Sequence, residues 1–152
     1  MAQMAFSEDL LVGFGQMDEI HEDFVEKYNA LEAANPESDL AHFLKCYDDF
    51  IAHLDHHFSA ENTWMEVVQF PECHKAEHDR VLAVVRDVRI RAEKGDLAIA
   101  GRLIKELPLW LDNHAKSMDT ALAQFLLSVE FDPVTQTAKV EGVVPQEGSC
   151  SC

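Results

Sequence analysis

The sequence predicts an all-α fold: an up-down-up-down four-helix bundle with an N-terminal arm and a C-terminal tail. Two observations carry that expectation. Apolar residues recur in steps of three and four through separate segments of the chain, the spacing that keeps one helix face on a bundle core. Between those segments stand Asn35-Pro36, Pro71 and Gly95-Asp96, residue types that stop or start helices. The chain has 152 residues, 47% of them hydrophobic and 26% charged, a balance that suits one globular domain with a real core.

Residues 1–17 mix Gly13 and Gly15 with apolar residues and read as a packed arm. The first helix is expected over about 18–34, with Phe24, Tyr28 and Leu31 on one stripe and His21 beside them. Pro36 is suited to open the next helix at its first position. That helix is expected over about 37–68, on a seam of Phe43, Tyr47, Phe50, Leu54, His57, Glu61, Trp64 and Val68. A third helix runs from near Pro71 to a stop at Gly95, preceded by Arg91 and Lys94, and its seam is His74, His78, Val81, Val85 and Val88. Asp96 caps a fourth helix that reaches about 129 through Leu103, Leu107, Trp110, Leu111, His114, Met118 and Leu122. Pro108 lies inside it and predicts a bend before His114. The bundle domain is placed at 1–130. Residues 131–152 lose the helical period and read as a tail marked by Pro133, Gly142, Pro145 and Gly148.

The net charge is −16, from 28 acidic and 12 basic residues. Such a surface repels phosphate backbones and anionic lipid, so neither nucleic acid nor an anionic membrane is an expected partner. No apolar run approaches the roughly 20 residues a bilayer span needs. The first residues carry Glu8 and Asp9 and no basic cluster, unlike a secretory signal. Cys46, Cys73, Cys150 and Cys152 outline no disulfide framework, and the expected compartment is the cytoplasm.

The chemistry lies in polar residues on apolar stripes. His21, His57, His74, His78 and His114 occupy core positions, and Glu61 and Asp119 join them by spacing. His57 with Glu61, and His74 with His78, stand four apart and share a helix face. Asp119 follows His114 by five and is rotated further. A single buried histidine is usually just hydrogen-bonded, and a His53–His57 pair on the second helix is a rival metal site. Seven such groups on four helices need a shared partner, because an unpaired buried polar group costs several kcal/mol. A metal site supplies that partner, and facing helices of a bundle are where such sites are built. Imidazole suits iron, zinc, copper and nickel, and carboxylates bridge hard cations. Seven donors exceed one tetrahedral zinc and suit two six-coordinate ions sharing both carboxylates and a solvent-derived bridge.

The pattern resembles the hemerythrin family, in particular its bacterial single-domain members. The resemblance covers about residues 6–125. It rests on Met17-Asp18-Glu19-Ile20-His21, His57-Phe58-Ser59-Ala60-Glu61, His74-Lys75-Ala76-Glu77-His78, and Trp110-Leu111-Asp112-Asn113-His114 running on to Asp119. The resemblance implies two iron ions, oxo- or hydroxo-bridged, with Glu61 and Asp119 spanning both. It implies His74, His78 and His114 on one iron, and His21 and His57 on the other with a position open to dioxygen. Phe24, Phe58, Trp110, Leu111 and Met118 are the expected walls of a dry pocket, with Leu111 against the gas. Reversible dioxygen binding without catalysis is the function implied: a carrier, a store or a deliverer. A gas or redox sensor, a di-iron peroxidase, oxidase or nitric oxide reductase, and an iron-handling protein are the alternatives. The sequence departs from the family pattern at Phe6, at Asn62 and at Cys73 beside a ligand. It departs again in the tail, where Cys150 and Cys152 read first as idle thiols on a flexible end, with a redox or metal-handling pair or a partner-docking end as the alternative.

Overall fold

The computed structural model of the chain describes residues 4–140. Residues 141–152 of the expected tail, with Cys150 and Cys152, lie outside the described residues. The bundle is formed by α1 (Gly15–Ala33), α2 (Leu40–Val67), α3 (Cys73–Glu93) and a fourth rod. That rod comprises α4 (Leu97–His114), a π turn (Ala115–Asp119) and α5 (Thr120–Ser128). Each helix packs on the next in sequence, as short connections require. No helix among the described residues is long and apolar enough to cross a membrane.

The helix ends follow local chemistry. At the first junction the chain does not enter the helix at Pro36. The Asn35 side chain accepts the Glu37 N–H at 2.9 Å, and its carbonyl takes the Asp39 N–H at 3.0 Å. This turn consumes the residues after Pro36, and α2 starts at Leu40, where the Asp39 carboxylate accepts the His42 N–H at 3.0 Å. Gly95 ends α3 at φ +103, a conformation glycine adopts without penalty, and the Asp96 N–H closes onto the Arg91 carbonyl at 3.0 Å. The Asp96 carboxylate then caps α4 through the Ile99 N–H.

Helix α4 runs unbroken through Pro108. A proline has no N–H, so the Ile104 carbonyl one turn back loses its helical donor. The buried Tyr28 hydroxyl of α1 takes that carbonyl at 2.7 Å, which turns a backbone defect into an interhelical tie. Tyr28→Phe is therefore expected to cost about 1–3 kcal/mol, the range for an orphaned buried acceptor. Denaturant titration checks this, and the penalty should shrink in a Pro108→Ala background, where the alanine N–H restores the helical donor. Equal penalties in both backgrounds would contradict the reason given.

Apolar side chains gather in two layers. One holds Phe24, Tyr28, Phe43, Tyr47, Phe50, Leu54, Phe58, Val81, Val85, Leu107 and Leu111. The other holds Phe14, Met17, Trp64, Met65, Phe70, Leu122 and Leu126. The N-terminal arm packs as expected: Leu10 and Phe14 are buried, and Met4 and Asn29 exchange two hydrogen bonds of 2.8 Å. Part of the expected tail is structured. A short hairpin pairs β1 (Phe131–Asp132) with β2 (Thr137–Ala138), and Phe131 is buried in the second layer. Cys73 is disulfide-bonded, which corrects the expectation drawn from cysteine spacing, whereas Cys46 is a free thiol.

Candidate metal centre

Between the two apolar layers lies a polar one. Buried polar or charged residues among those described are His21, His53, His57, Glu61, His74, His78, His114 and Asp119. All but His53 are the residues picked out by spacing. Met17, Leu54, Phe58, Trp64, Leu111 and Leu122 lie within a helical turn or so of them on the same stripes, so ordinary core packing fixes the height of the polar layer.

Asp119 reaches that layer through an irregularity. Five residues after His114, a regular α-helix would turn it toward the flank. The segment Ala115–Asp119 is a π turn, whose wider coil brings Asp119 back to the interior. The Thr120 hydroxyl supports it by donating to the Ala115 carbonyl at 2.7 Å.

The donor atoms fall into two groups that share both carboxylates: Glu61, His74, His78, His114 and Asp119 in one, and His21, His57, Glu61 and Asp119 in the other. Each group takes a different oxygen of each carboxylate. Glu61 Oε1 faces His78 Nε2 at 3.2 Å and His74 Nε2 at 3.4 Å, while Oε2 takes His57 Nε2 at 2.9 Å. Asp119 Oδ1 faces His74 Nε2 at 3.0 Å and His114 Nε2 at 3.1 Å, while Oδ2 takes His21 Nε2 at 2.9 Å. Within the three-histidine group, His114 Nε2 also lies 3.1 Å from His74 Nε2 and 3.2 Å from His78 Nε2.

The contacts at Glu61 Oε1 and Asp119 Oδ1 are short, yet they are poor hydrogen bonds. Glu61 Oε1 and Asp119 Oδ1, the oxygens facing three imidazoles, have no aligned donor. Lone pairs converging on a point, without donors directed along them, are what a cation needs. The residues present therefore fit a metal, with imidazole nitrogens for a borderline ion and carboxylate oxygens for a shared charge.

Some imidazole rings of the cluster are held from behind. His21 Nδ1 donates to the Leu10 carbonyl at 3.1 Å, and His78 Nδ1 to Asn62 Oδ1 at 2.8 Å. Both contacts point Nε2 inward and fix the tautomer. Sequence reasoning gave neither partner. Leu10 acts through its backbone, which carries no side-chain signal, and Asn62 was visible only as a departure from the family pattern.

The electrostatics are those of an ion-pair cluster when no metal is bound. Burial pulls His21 and His74 down, but their bonds to Asp119, with Glu61 adding to the field, raise each to about 9. Burial and mutual repulsion act to raise Glu61 and Asp119, yet the surrounding histidines hold both well below their ordinary values. His78 is lowered to about 4, by burial first and then by its histidine neighbours, against the pull of Glu61. In the metal-free chain the pairing of His21 and His74 is complete below about 6.5 and lost as pH rises through about 9. Ligation needs neutral imidazole, so metal loading at pH 8 is expected to release two protons from His21 and His74. Titration calorimetry in buffers of different ionisation enthalpy measures this, and the release should vanish as pH passes above 9. A release near zero at pH 8 would contradict the charge assignment.

The expected wall residues surround the cluster unevenly. Phe24 meets His57 edge-on at 6.3 Å and 90°. Phe58 stacks on His78 at 4.2 Å and 6°. Trp110 stacks on His114 at 4.6 Å and 18°, and its indole N–H donates to Glu77 at 3.0 Å. Leu111 is fully buried in the first apolar layer. Met118 is half-buried and lines a surface cleft of about 160 Å³ with Glu77, Trp110 and His114. The rival His53–His57 surface pair does not form a donor group among the described residues: His53 is buried and bonds Asp23 instead.

Comparison with known proteins agrees with the geometry. Residues 12–126 match the Hemerythrin HHE cation binding domain. A bacteriohemerythrin of Ralstonia nicotianae is 41% identical over 128 residues, covering 83% of this chain and 90% of that protein. A bacteriohemerythrin of Stenotrophomonas maltophilia is 30% identical over 125 residues, 81% of each chain. One from Pseudomonas paraeruginosa is 29% identical over 121 residues, 78% of each. No solved structure matches the chain.

Proposed function

The chain belongs to the hemerythrin family, and on that footing we propose that it binds dioxygen reversibly at two iron ions held by His21, His57, Glu61, His74, His78, His114 and Asp119. The observation that carries this reading is the division of the carboxylate oxygens. Glu61 and Asp119 each turn one oxygen to a three-histidine group and the other to a two-histidine group, as groups bridging two ions do.

His74, His78 and His114 fill one ion's remaining protein positions. His21 and His57 would give a second ion one donor fewer, and that difference would leave room for a diatomic ligand. Two ferrous ions held there would supply the two electrons that dioxygen takes up. The protein holds the five imidazoles in place and keeps water out with Phe24, Phe58, Leu111 and the half-buried Trp110. Met118 guards the cleft beside His114. Only two of the seven donors are anionic, fewer than in the carboxylate-rich sites of ferritin-like oxidases, and this favours reversible binding over strong oxidation.

A carrier, store or deliverer of oxygen is the role that fits, rather than an enzyme, because the pocket walls are apolar and supply no dedicated acid or base. The cytoplasm is the proposed compartment. Anaerobic loading with ferrous iron, metal analysis and titration with oxygen test the function. Two irons and one dioxygen taken up per chain are expected; a single ion, or no uptake by a two-iron protein, would refute it.

A further inference from the structure

Of the five imidazoles in the cluster, His21 and His78 have outer partners, while the Nδ1 atoms of His57, His74 and His114 are buried without one. A second feature stands beside one of these three. His53, one helical turn before His57, has a side chain only 1% exposed, and its Nδ1 lies 2.7 Å from the Asp23 carboxylate of α1. With that Nδ1–H donating to Asp23, Nε2 is left as an acceptor, and it too is buried with no partner among the described residues. The rings of His53 and His57 lie 5.4 Å apart between centroids and 60° between planes. That is close enough for one N–H···N hydrogen bond between imidazole edges to close after a small ring rotation. Phe24 and Phe50 pack on the His53 ring.

We propose that Asp23 and His53 form an outer arm to His57, in which His57 Nδ1–H donates to His53 Nε2 and His53 Nδ1–H donates to the Asp23 carboxylate. The arm gives His57 the support that the Leu10 carbonyl gives His21 and Asn62 gives His78. Its far end differs from theirs in kind. Asp23 is a carboxylate whose side chain is 46% exposed, at a cleft of about 510 Å³ that it lines with Glu19, His53 and His56. A carboxylate at the end of a histidine chain strengthens the metal-bound imidazole as a donor. The arm therefore makes Asp23 a positioning residue for the two-histidine ion, the side where the ligand site lies open. This inference rests on the two-iron reading above.

The test uses the iron-loaded protein and the variants Asp23→Asn, His53→Phe and Asp55→Asn. Asp55 lies exposed on α2, paired with Arg86 at 3.3 Å, so Asp55→Asn removes the same charge away from the arm. Iron-shifted, exchangeable imidazole N–H resonances of the reduced protein are recorded, with the rate of iron loss to a ferrous chelator. In Asp23→Asn one N–H resonance should move and iron loss should accelerate about tenfold, at the lower edge of the effect of an outer partner. His53→Phe should abolish the same resonance, and the double variant should lose iron no faster than His53→Phe alone. Asp55→Asn should match wild type in both measurements. An Asp23→Asn protein indistinguishable from wild type, or from Asp55→Asn, overturns the arm while leaving the metal centre intact. Wild-type protein that holds no iron overturns the two-iron reading and the arm with it.

Discussion

Glu61→Gln should reduce the metal content from two ions per chain to less than one under conditions that saturate the wild type. The reason is geometric. Glu61 serves both groups of donors, with Oε1 toward His74 and His78 and Oε2 toward His57, so its loss weakens two sites at once. Glutamine keeps the size but offers one oxygen and no charge, and Asp119, which faces His21, His74 and His114, is then the one carboxylate left in the cluster. Asp119→Asn should behave alike. His21→Ala should not, because His21 belongs to one group only, and the three-histidine group should still retain one ion. Metal analysis after gel filtration distinguishes these outcomes. The metal-free Glu61→Gln protein should also be weaker by about 3 kcal/mol, since removing one partner of a buried ion pair strands the others. If Glu61→Gln and His21→Ala lost the same single ion, the shared-carboxylate assignment would fail.

Leu111→Ala should hasten oxidation of the reduced iron by an order of magnitude or more and destabilise the fold by about 2–5 kcal/mol, the usual range for a buried leucine truncated to alanine. Leu111 is fully buried in the apolar layer that contains Phe24, Phe58 and Ala115, one turn before His114. Truncation there removes methyl groups from the apolar layer one turn from His114 and opens room for water, which would displace a bound ligand and admit protons. Chemical denaturation reads the loss of stability, and the decay of the oxygenated spectrum reads the faster oxidation. Leu107→Ala supplies the comparison. Leu107 is buried in the same layer one turn further from His114, so it should show the stability loss without the faster oxidation. A Leu111→Ala protein that oxidises at the wild-type rate would remove Leu111 from the pocket wall.

Much of this was legible in the sequence because a bundle core and a polar layer obey one periodicity. His57, Glu61, His74 and His78 were visible by the step of four that aligns them, and His21 and His114 by their places on apolar stripes. Asp119 was the hard case: its step of five makes sense only with the π turn, and no residue in Ala115–Asp119 announces one. The second helix starts later than Pro36 alone predicts, because Asn35 and Asp39 compete for the backbone and win. Pro108 predicts a bend, and the remedy for its missing donor comes from Tyr28 on another helix. The hairpin after Ser128 is too short for a period, and the disulfide of Cys73 could not follow from spacing alone. Outer partners such as Leu10, Asp23 and Glu77 escape sequence reading for the same reason: each depends on a contact between distant segments.

The most direct measurement of the central claim is the visible spectrum of the anaerobically reduced, iron-loaded protein as oxygen is admitted and then swept out with argon. A nearly colourless reduced form, a charge-transfer band that develops with oxygen, and its disappearance under argon over repeated cycles are what the two-iron site predicts. A single irreversible passage to an oxidised spectrum, with no return on removing oxygen, would contradict reversible binding.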